Sequence, residues 1–371
     1  MKTQAAVLWE YGKDWQTEEL ELDDPKAGEV LVRLAATGLC HSDEHVRIGD
    51  LPMEGLPTIG GHEGAGVVER VGPEVTGVSE GDHVVLSFVP ACGRCLSCAN
   101  GHQNLCDEGA ELTVGLQRDG SSRHHVRGQD ARLMCLLGTF APHTVVRESS
   151  VVKIRDDVPL DKAALVGCGV TTGWATAVYG AGVSPGDTVA VLGVGGVGAN
   201  AVQGARIAGA SHILAIDPSE FNREQAKVFG ATHTFASAAE ALEALPDLTW
   251  GRMADSALIT VGVATGEVIG EALSLVGKLG TVVLTSLSPV TDNQVVLPMF
   301  EMAAFQKRLV GCLFGDANPR YDIPRLLDLY VGGDLLLDEL VTRTYPFEDI
   351  NQGYEDMRTH RNVRGMVRFD Q

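Results

Sequence analysis

The sequence predicts an α/β protein: a doubly wound parallel sheet joined to a second, β-rich domain. Three observations carry this. Thr188-Val189-Ala190-Val191-Leu192 is a continuous apolar run, as expected of a strand buried on both faces. It leads through a Gly-rich turn into the Ala-rich segment 199–209, which reads as helix, and strand-like and helical segments continue to alternate beyond it. The first 150 or so residues, by contrast, hold short apolar runs punctuated by Gly, with no sustained 3.6-residue period.

Taken in order, Val30–Leu34, Gly66–Gly72 and Asp82–Leu86 read as short strands of the first domain. Ile213–Ile216 is the strand after the Ala-rich helix, about 219–229 is helical, and Thr281–Leu284 is a later strand. After about residue 314 come a helical stretch around Ile323–Tyr330 and the apolar and basic segment Val363–Val367. There are no internal repeats, low-complexity tracts or long flexible linkers. A chain of 371 residues suits two domains of roughly 150 residues each. With aromatics at 5%, the cores must be mostly aliphatic.

The charge balance, 29 basic against 49 acidic residues, gives a net −20. So acidic a surface repels phosphate backbones and argues against nucleic-acid binding. No apolar run approaches 18 residues, and the opening MKTQAAVLWEYGKDW lacks the basic-then-apolar layout of a secretion signal. The expectation is a soluble cytoplasmic protein without membrane partners. In that setting eight cysteines, several of them clustered, read as metal ligands or catalysts before disulfides.

Gly193-Val194-Gly195-Gly196-Val197-Gly198 satisfies G-x-G-x-x-G between the strand and the helix. Glycines there permit a tight turn, close approach to a pyrophosphate and close helix–sheet packing. The helix N-terminus adds N–H donors and a positive dipole end. Asp217 lies at the end of the second strand, where an acidic side chain accepts from the adenosine ribose hydroxyls and favours NAD over NADP.

Cys92, Cys95, Cys98 and Cys106 form C-x₂-C-x₂-C-x₇-C in a polar loop. Four thiolates from so short a segment match a closed tetrahedral zinc site, structural because no position is left for a substrate. An iron–sulfur cluster takes the same ligands, although nothing else in the chain supports electron transfer of that kind.

A second set is dispersed: Cys40, His41, Ser42, Asp43 and His45 in GLCHSDEH, His62 and Glu63 on a Gly-rich turn, and Cys168 between two glycines. Each alone would read as a packed core residue. Together they resemble the zinc-dependent medium-chain alcohol dehydrogenases, over essentially the whole chain. The stretches LSFVPACGRCLSCANGHQNLCD, MCLLGTF, LVGCGVTTGW, DPSEFNREQAKVFGATHTFAS and FGDANPRYDIPRLLDLY are similar to its nicotinoprotein branch, the nitrosodimethylaniline-dependent alcohol dehydrogenases.

The resemblance implies a GroES-like catalytic domain, 1–169 plus 314–371 with a zinc lobe at about 90–107, and a Rossmann domain of about 170–313. It implies two zinc ions per chain. Cys40, His62 and Cys168 would hold the catalytic one, with Glu63 beside it and Asp43 orienting His62. It assigns Ser42 and His45 to a proton relay that runs through the cofactor ribose, and His41 and Arg364 to the cofactor pyrophosphate. Phe88 matches a substrate-pocket wall and Thr172 a position near the nicotinamide. The implied reaction is interconversion of an alcohol and an aldehyde, with NAD(H) held between turnovers and the hydride passed to an electron acceptor such as mycofactocin. Alternatives are an ordinary NAD-exchanging dehydrogenase, a thiol-adduct formaldehyde dehydrogenase, or a binding module built on the four-Cys knuckle. After Cys106 the chain reads Asp107-Glu108-Gly109-Ala110-Glu111, with the first basic residue at Arg118, which disfavours an anionic glutathione adduct. The long segment between Cys106 and Phe140 resembles that of the family's dimeric members, so a homodimer or higher homo-oligomer is expected.

Overall fold

A computed structural model describes residues 1–369. The chain divides into two compact units: Met1–Cys168 together with the chain from Asn318 onward, and Gly169–Ala317.

The first unit is built on two sheets. One has six strands in the order 129–130, 124–126, 16–22, 2–8, 58–59 and 132–133. The other is centred on Glu29–Leu39, an 11-residue strand. Gly64–Val71 pairs with it antiparallel, as do His143–Arg147 and, far along the chain, Arg364–Arg368. Alternate aliphatic residues of these strands and of His83–Leu86, which pairs with Gly64–Val71 (Val30, Val32, Leu34, Val68, Val84, Leu86), are at most 1% exposed and form one core with Phe140, Tyr354 and Val367. This is the short-stranded, Gly-punctuated texture read in the sequence. The unit also holds a helix that the sequence reading did not include, His41–Ile48. Six of its eight residues are charged or polar, so it carries no apolar stripe to announce it.

The second unit is a parallel sheet in the order 233–235, 212–216, 188–192, 254–259, 276–284 and 308–311. In chain order this is 3-2-1-4-5-6, the doubly wound arrangement whose ligands bind beyond the carboxyl end of the first strand. All five residues of Thr188–Leu192 are buried, which accounts for the unbroken apolar run. Helices Gly196–Ile207 and Glu220–Phe229 follow the first two strands. The second is capped by Ser219, whose hydroxyl accepts from the Asn222 N–H. No helix among the described residues is long and apolar enough to cross a membrane.

His124 is fully buried in the 124–126 strand, and its Nε2 accepts from the Val145 N–H at 3.3 Å. Burial lowers its pKa from 6.5 to about 3. A depressed folded-state pKa gives stability that is full above the unfolded value and declines as the pH falls toward the folded one. By pH 5 the loss is about 2 kcal/mol from this residue. Urea midpoints at pH 7 and pH 5 check this. His124→Gln should show a smaller drop between the two pH values than the parent protein, and an equal drop would remove His124 as a cause.

Candidate active site

The His41–Ile48 helix starts at Cys40, so the thiol sits at the positive end of the helix dipole, which favours thiolate. Asp43, in the first turn, is 0% exposed. One carboxylate oxygen accepts from the Cys40 N–H at 3.4 Å. The other accepts from the Gly61 N–H at 2.9 Å and lies 3.1 Å from His62 Nδ1. A carboxylate only accepts, so Nδ1 carries the proton and Nε2 is left as the donor atom for a ligand. Gly61 makes this possible: its φ is +86°, and a Cβ there would lie 2.4 Å from the Phe140 ring.

His62 Nε2 is buried and has no hydrogen-bond partner. It converges with Cys40, Cys168 and a Glu63 carboxylate oxygen, their four donor atoms all within 4.8 Å of one another. Hydrogen bonding from Cys168 holds the Cys40 thiol well below its usual pKa, while the same contact pushes Cys168 well above. Burial opposes charge on His62, yet Asp43 and Cys40 push its pKa well above the ordinary value. Two thiols, an imidazole and a carboxylate are donors that suit Zn²⁺, and an ion bound there would displace the protons that this cluster otherwise shares.

Glu63 is paired with Arg364, and both are at least 95% buried. The sequence reading put Arg364 at the cofactor pyrophosphate and did not foresee this partner, which lies 301 residues away. Around the cluster, the Phe88 ring stands edge-on to His62 at 5.9 Å between centroids. Ser42 Oγ is 3.8 Å from Cys40 Sγ. His45, 3% exposed, has its ring 5.2 Å from that of His41. Burial, with His45 nearby, holds the His41 pKa below its usual value.

The four-Cys loop closes on itself. Cys92 and Cys98 sulfurs are 4.0 Å apart, as are those of Cys95 and Cys106. A tetrahedron with Zn–S near 2.3 Å requires about 3.8 Å, so the four sulfurs already surround an ion-sized space. The Cys92, Cys95 and Cys98 N–H groups each donate to a sulfur of the set at 3.4 Å. Such donors stabilise thiolates.

In the second unit the turn Gly193 to Gly198 takes the form required to cradle a pyrophosphate. A Cβ on Gly198 would lie 1.9 Å from the Gly193 carbonyl oxygen, so only Gly allows the helix to start this close to the strand. Gly195 caps the helix, Gly196 and Val197 form its first turn, and open space lies where a Gly195 Cβ would be. Asp217 accepts from the Val194 N–H at 2.9 Å and the Ser219 N–H at 2.8 Å, which fixes the turn against the second strand. Asn222 adds a bond at 3.2 Å, and Thr260 Oγ1 donates to the Gly193 carbonyl at 2.6 Å. Neither Asn222 nor Thr260 figured in the sequence reading, because isolated polar residues at those positions carry no motif. Thr172 lies in the Gly169–Ala175 helix, with its hydroxyl oxygen buried and unpartnered.

The comparisons agree with this geometry. Residues 26–156 match the alcohol dehydrogenase GroES-like domain, and residues 196–332 the zinc-binding dehydrogenase family. The NDMA-dependent alcohol dehydrogenase of Amycolatopsis methanolica is 53% identical over 99% of both chains. The S-(hydroxymethyl)glutathione dehydrogenase of Paracoccus denitrificans is 36% identical over 100% of both. Among solved structures, the benzyl alcohol dehydrogenase of Acinetobacter calcoaceticus superposes with a TM-score of 0.93, at 30% identity over the whole of both chains. With a GroES-like domain, a Rossmann-like domain and relatives of this identity, the chain belongs to the zinc-dependent medium-chain alcohol dehydrogenase family.

Proposed function

We propose that this enzyme interconverts an alcohol and an aldehyde in the cytoplasm, using two zinc ions and an NAD(H) that stays bound between turnovers. The observation that carries the catalytic part is the buried Cys40–His62–Glu63–Cys168 cluster with its unpartnered Nε2. In this reading Cys40, His62 and Cys168 hold the catalytic zinc, and Cys92, Cys95, Cys98 and Cys106 hold a structural one. The Gly193–Gly198 turn and Asp217 take the pyrophosphate and ribose of NAD, with His41 and Arg364 beside the phosphates and Thr172 toward the nicotinamide. When bound, zinc supplies Lewis acidity that makes an alcohol hydroxyl more acidic, and NAD supplies the hydride acceptor.

The chain's own contribution is positioning and proton movement. Asp43 holds His62 in the ligating tautomer, and Glu63 and Arg364 keep the cluster's charge balanced. Ser42 Oγ receives the hydroxyl proton and His45 takes it on toward solvent, while Phe88 walls the substrate pocket.

Tight cofactor retention rests on the likeness to an NDMA-dependent enzyme. The acceptor would be a nitroso dye in vitro and a redox carrier such as mycofactocin in the cell. A glutathione adduct is disfavoured because Asp107–Glu111, directly after Cys106, offers no basic side chain, and Arg118 is already engaged with Glu108. A homodimer is supported by exposed apolar side chains in the segment that precedes the sheet-edge strand Arg308–Gly311 in sequence: Val290, Val296, Met299 and Phe300 are each at least 70% exposed.

Desalted protein should release about one equivalent of NAD(H) per chain on denaturation; a clean apo-protein that turns over alcohol only with added NAD would leave an ordinary exchanging dehydrogenase. Elemental analysis should find two zinc ions per chain, falling by one in Cys168→Ser with activity lost. Ser42→Ala should keep both ions while turnover drops on the order of 100-fold, and full turnover in that variant would take Ser42 out of the relay. Sedimentation should give about twice the 39.3 kDa chain mass, and a monomer would refute the dimer.

A further inference from the structure

His45 is almost wholly buried, with its side chain 4% exposed. It sits in the last turn of the His41–Ile48 helix, and the chain reverses at Gly49, with φ of +91°. The Gly49 and Leu51 N–H groups both bond the His45 carbonyl at 3.1 Å. This left-handed turn carries the next residue, Asp50, back alongside the imidazole. Asp50 Oδ2 lies 3.1 Å from His45 Nδ1, and the carboxylate is 31% exposed. The turn is held from outside, since Gly12 N–H bonds the Arg47 carbonyl at 2.7 Å and Tyr11 donates to the Met53 carbonyl at 3.0 Å.

We propose that Asp50 is the positioning residue of the proton relay: it fixes the tautomer of His45 and stabilises the imidazolium formed when the relay proton arrives. The inference rests on His45 acting as the relay base. A carboxylate only accepts, so Nδ1 carries the hydrogen and Nε2 keeps the lone pair. During alcohol oxidation Nε2 takes one proton, the ring becomes positive beside the negative Asp50, and the ring later gives one proton to water and returns to neutral. Asp50 stays ionised throughout and no electrons move. The other charges near this pair are differently engaged, Glu44 being bonded to both Arg47 and Arg358. Asp50 thus places a partly exposed carboxylate beside an almost wholly buried imidazole. Buried orientation of a general base by a carboxylate is worth a large rate factor elsewhere.

The test compares Asp50→Asn, Asp50→Glu, His45→Gln and the double variant Asp50→Asn/His45→Gln. Single-turnover reduction of the bound NAD is followed with saturating alcohol, alongside zinc content and thermal midpoint. Asp50→Asn should slow the step about 10- to 100-fold with KM for the alcohol little changed. Asp50→Glu should restore most of the rate, and the double variant should be no slower than His45→Gln. If His45→Gln is slow but Asp50→Asn is not, the relay stands and the role of Asp50 is overturned. If the two effects multiply, Asp50 acts elsewhere and the proposal fails. If His45→Gln has no effect, the relay reading and this inference fall together.

Discussion

One buried carboxylate sets the geometry of the catalytic unit. Asp43 receives the Cys40 N–H, the Gly61 N–H and the His62 ring within a space that admits no water to either oxygen. Cys40 ends one strand and starts a helix, whereas His62 lies on a separate turn between two others, so their approach is not dictated by either segment alone. The carboxylate supplies the missing link, and removing it would leave three buried donors without it, at about 1–3 kcal/mol each. It also decides which imidazole nitrogen is free to ligate. Packing follows from the same requirement: Phe140 and Thr139 close over Gly60 and Gly61, and a Cβ at either glycine would collide with Phe140.

The nucleotide-binding unit solves a similar problem by the same means. Asp217 is 5% exposed and spends its lone pairs on the Val194 and Ser219 N–H groups, joining the glycine turn to the end of the second strand. An acidic residue here therefore has a structural role of its own. Glu63 and Arg364 make the third such arrangement. A buried ion pair contributes little net stability by itself, because desolvation offsets most of the attraction. Its place next to two thiols explains it better: the guanidinium offsets negative charge that would otherwise gather around Cys40 and Cys168, and burial notwithstanding, its pKa is raised by Glu63 and both thiols.

Much of this was legible in the sequence. The apolar run Thr188–Leu192, the glycine turn and Asp217 are local signals, each produced by a constraint acting within some 30 residues. The four-Cys knuckle is local too, since one short loop supplies every donor. The dispersed Cys40, His62 and Cys168 were legible only through the family resemblance; composition and spacing alone could not bring them together, and only the fold does. The His41–Ile48 helix escaped because its polar residues face a site rather than solvent, so the amphipathic signal is missing. Glu63–Arg364 escaped for a topological reason: the two residues meet because the Arg364–Arg368 strand joins the sheet beside Glu29–Leu39, and no periodicity encodes that pairing.

That late strand has a consequence for biosynthesis. The nucleotide-binding unit is one continuous stretch, Gly169–Ala317, so every contact it needs exists once that stretch has left the ribosome. The catalytic unit is different, because its central sheet and its buried Glu63 wait for a partner made 301 residues later. Domains fold as they are synthesised, N-terminal parts first, so during most of translation Glu63 lacks its Arg364 counter-ion, and the Ala36–Leu39 end of the central strand lacks the late strand that pairs it. The order of translation therefore completes the insert before Arg364, the counter-ion of Glu63, has been made, although Cys40, His62 and Cys168 all precede the insert.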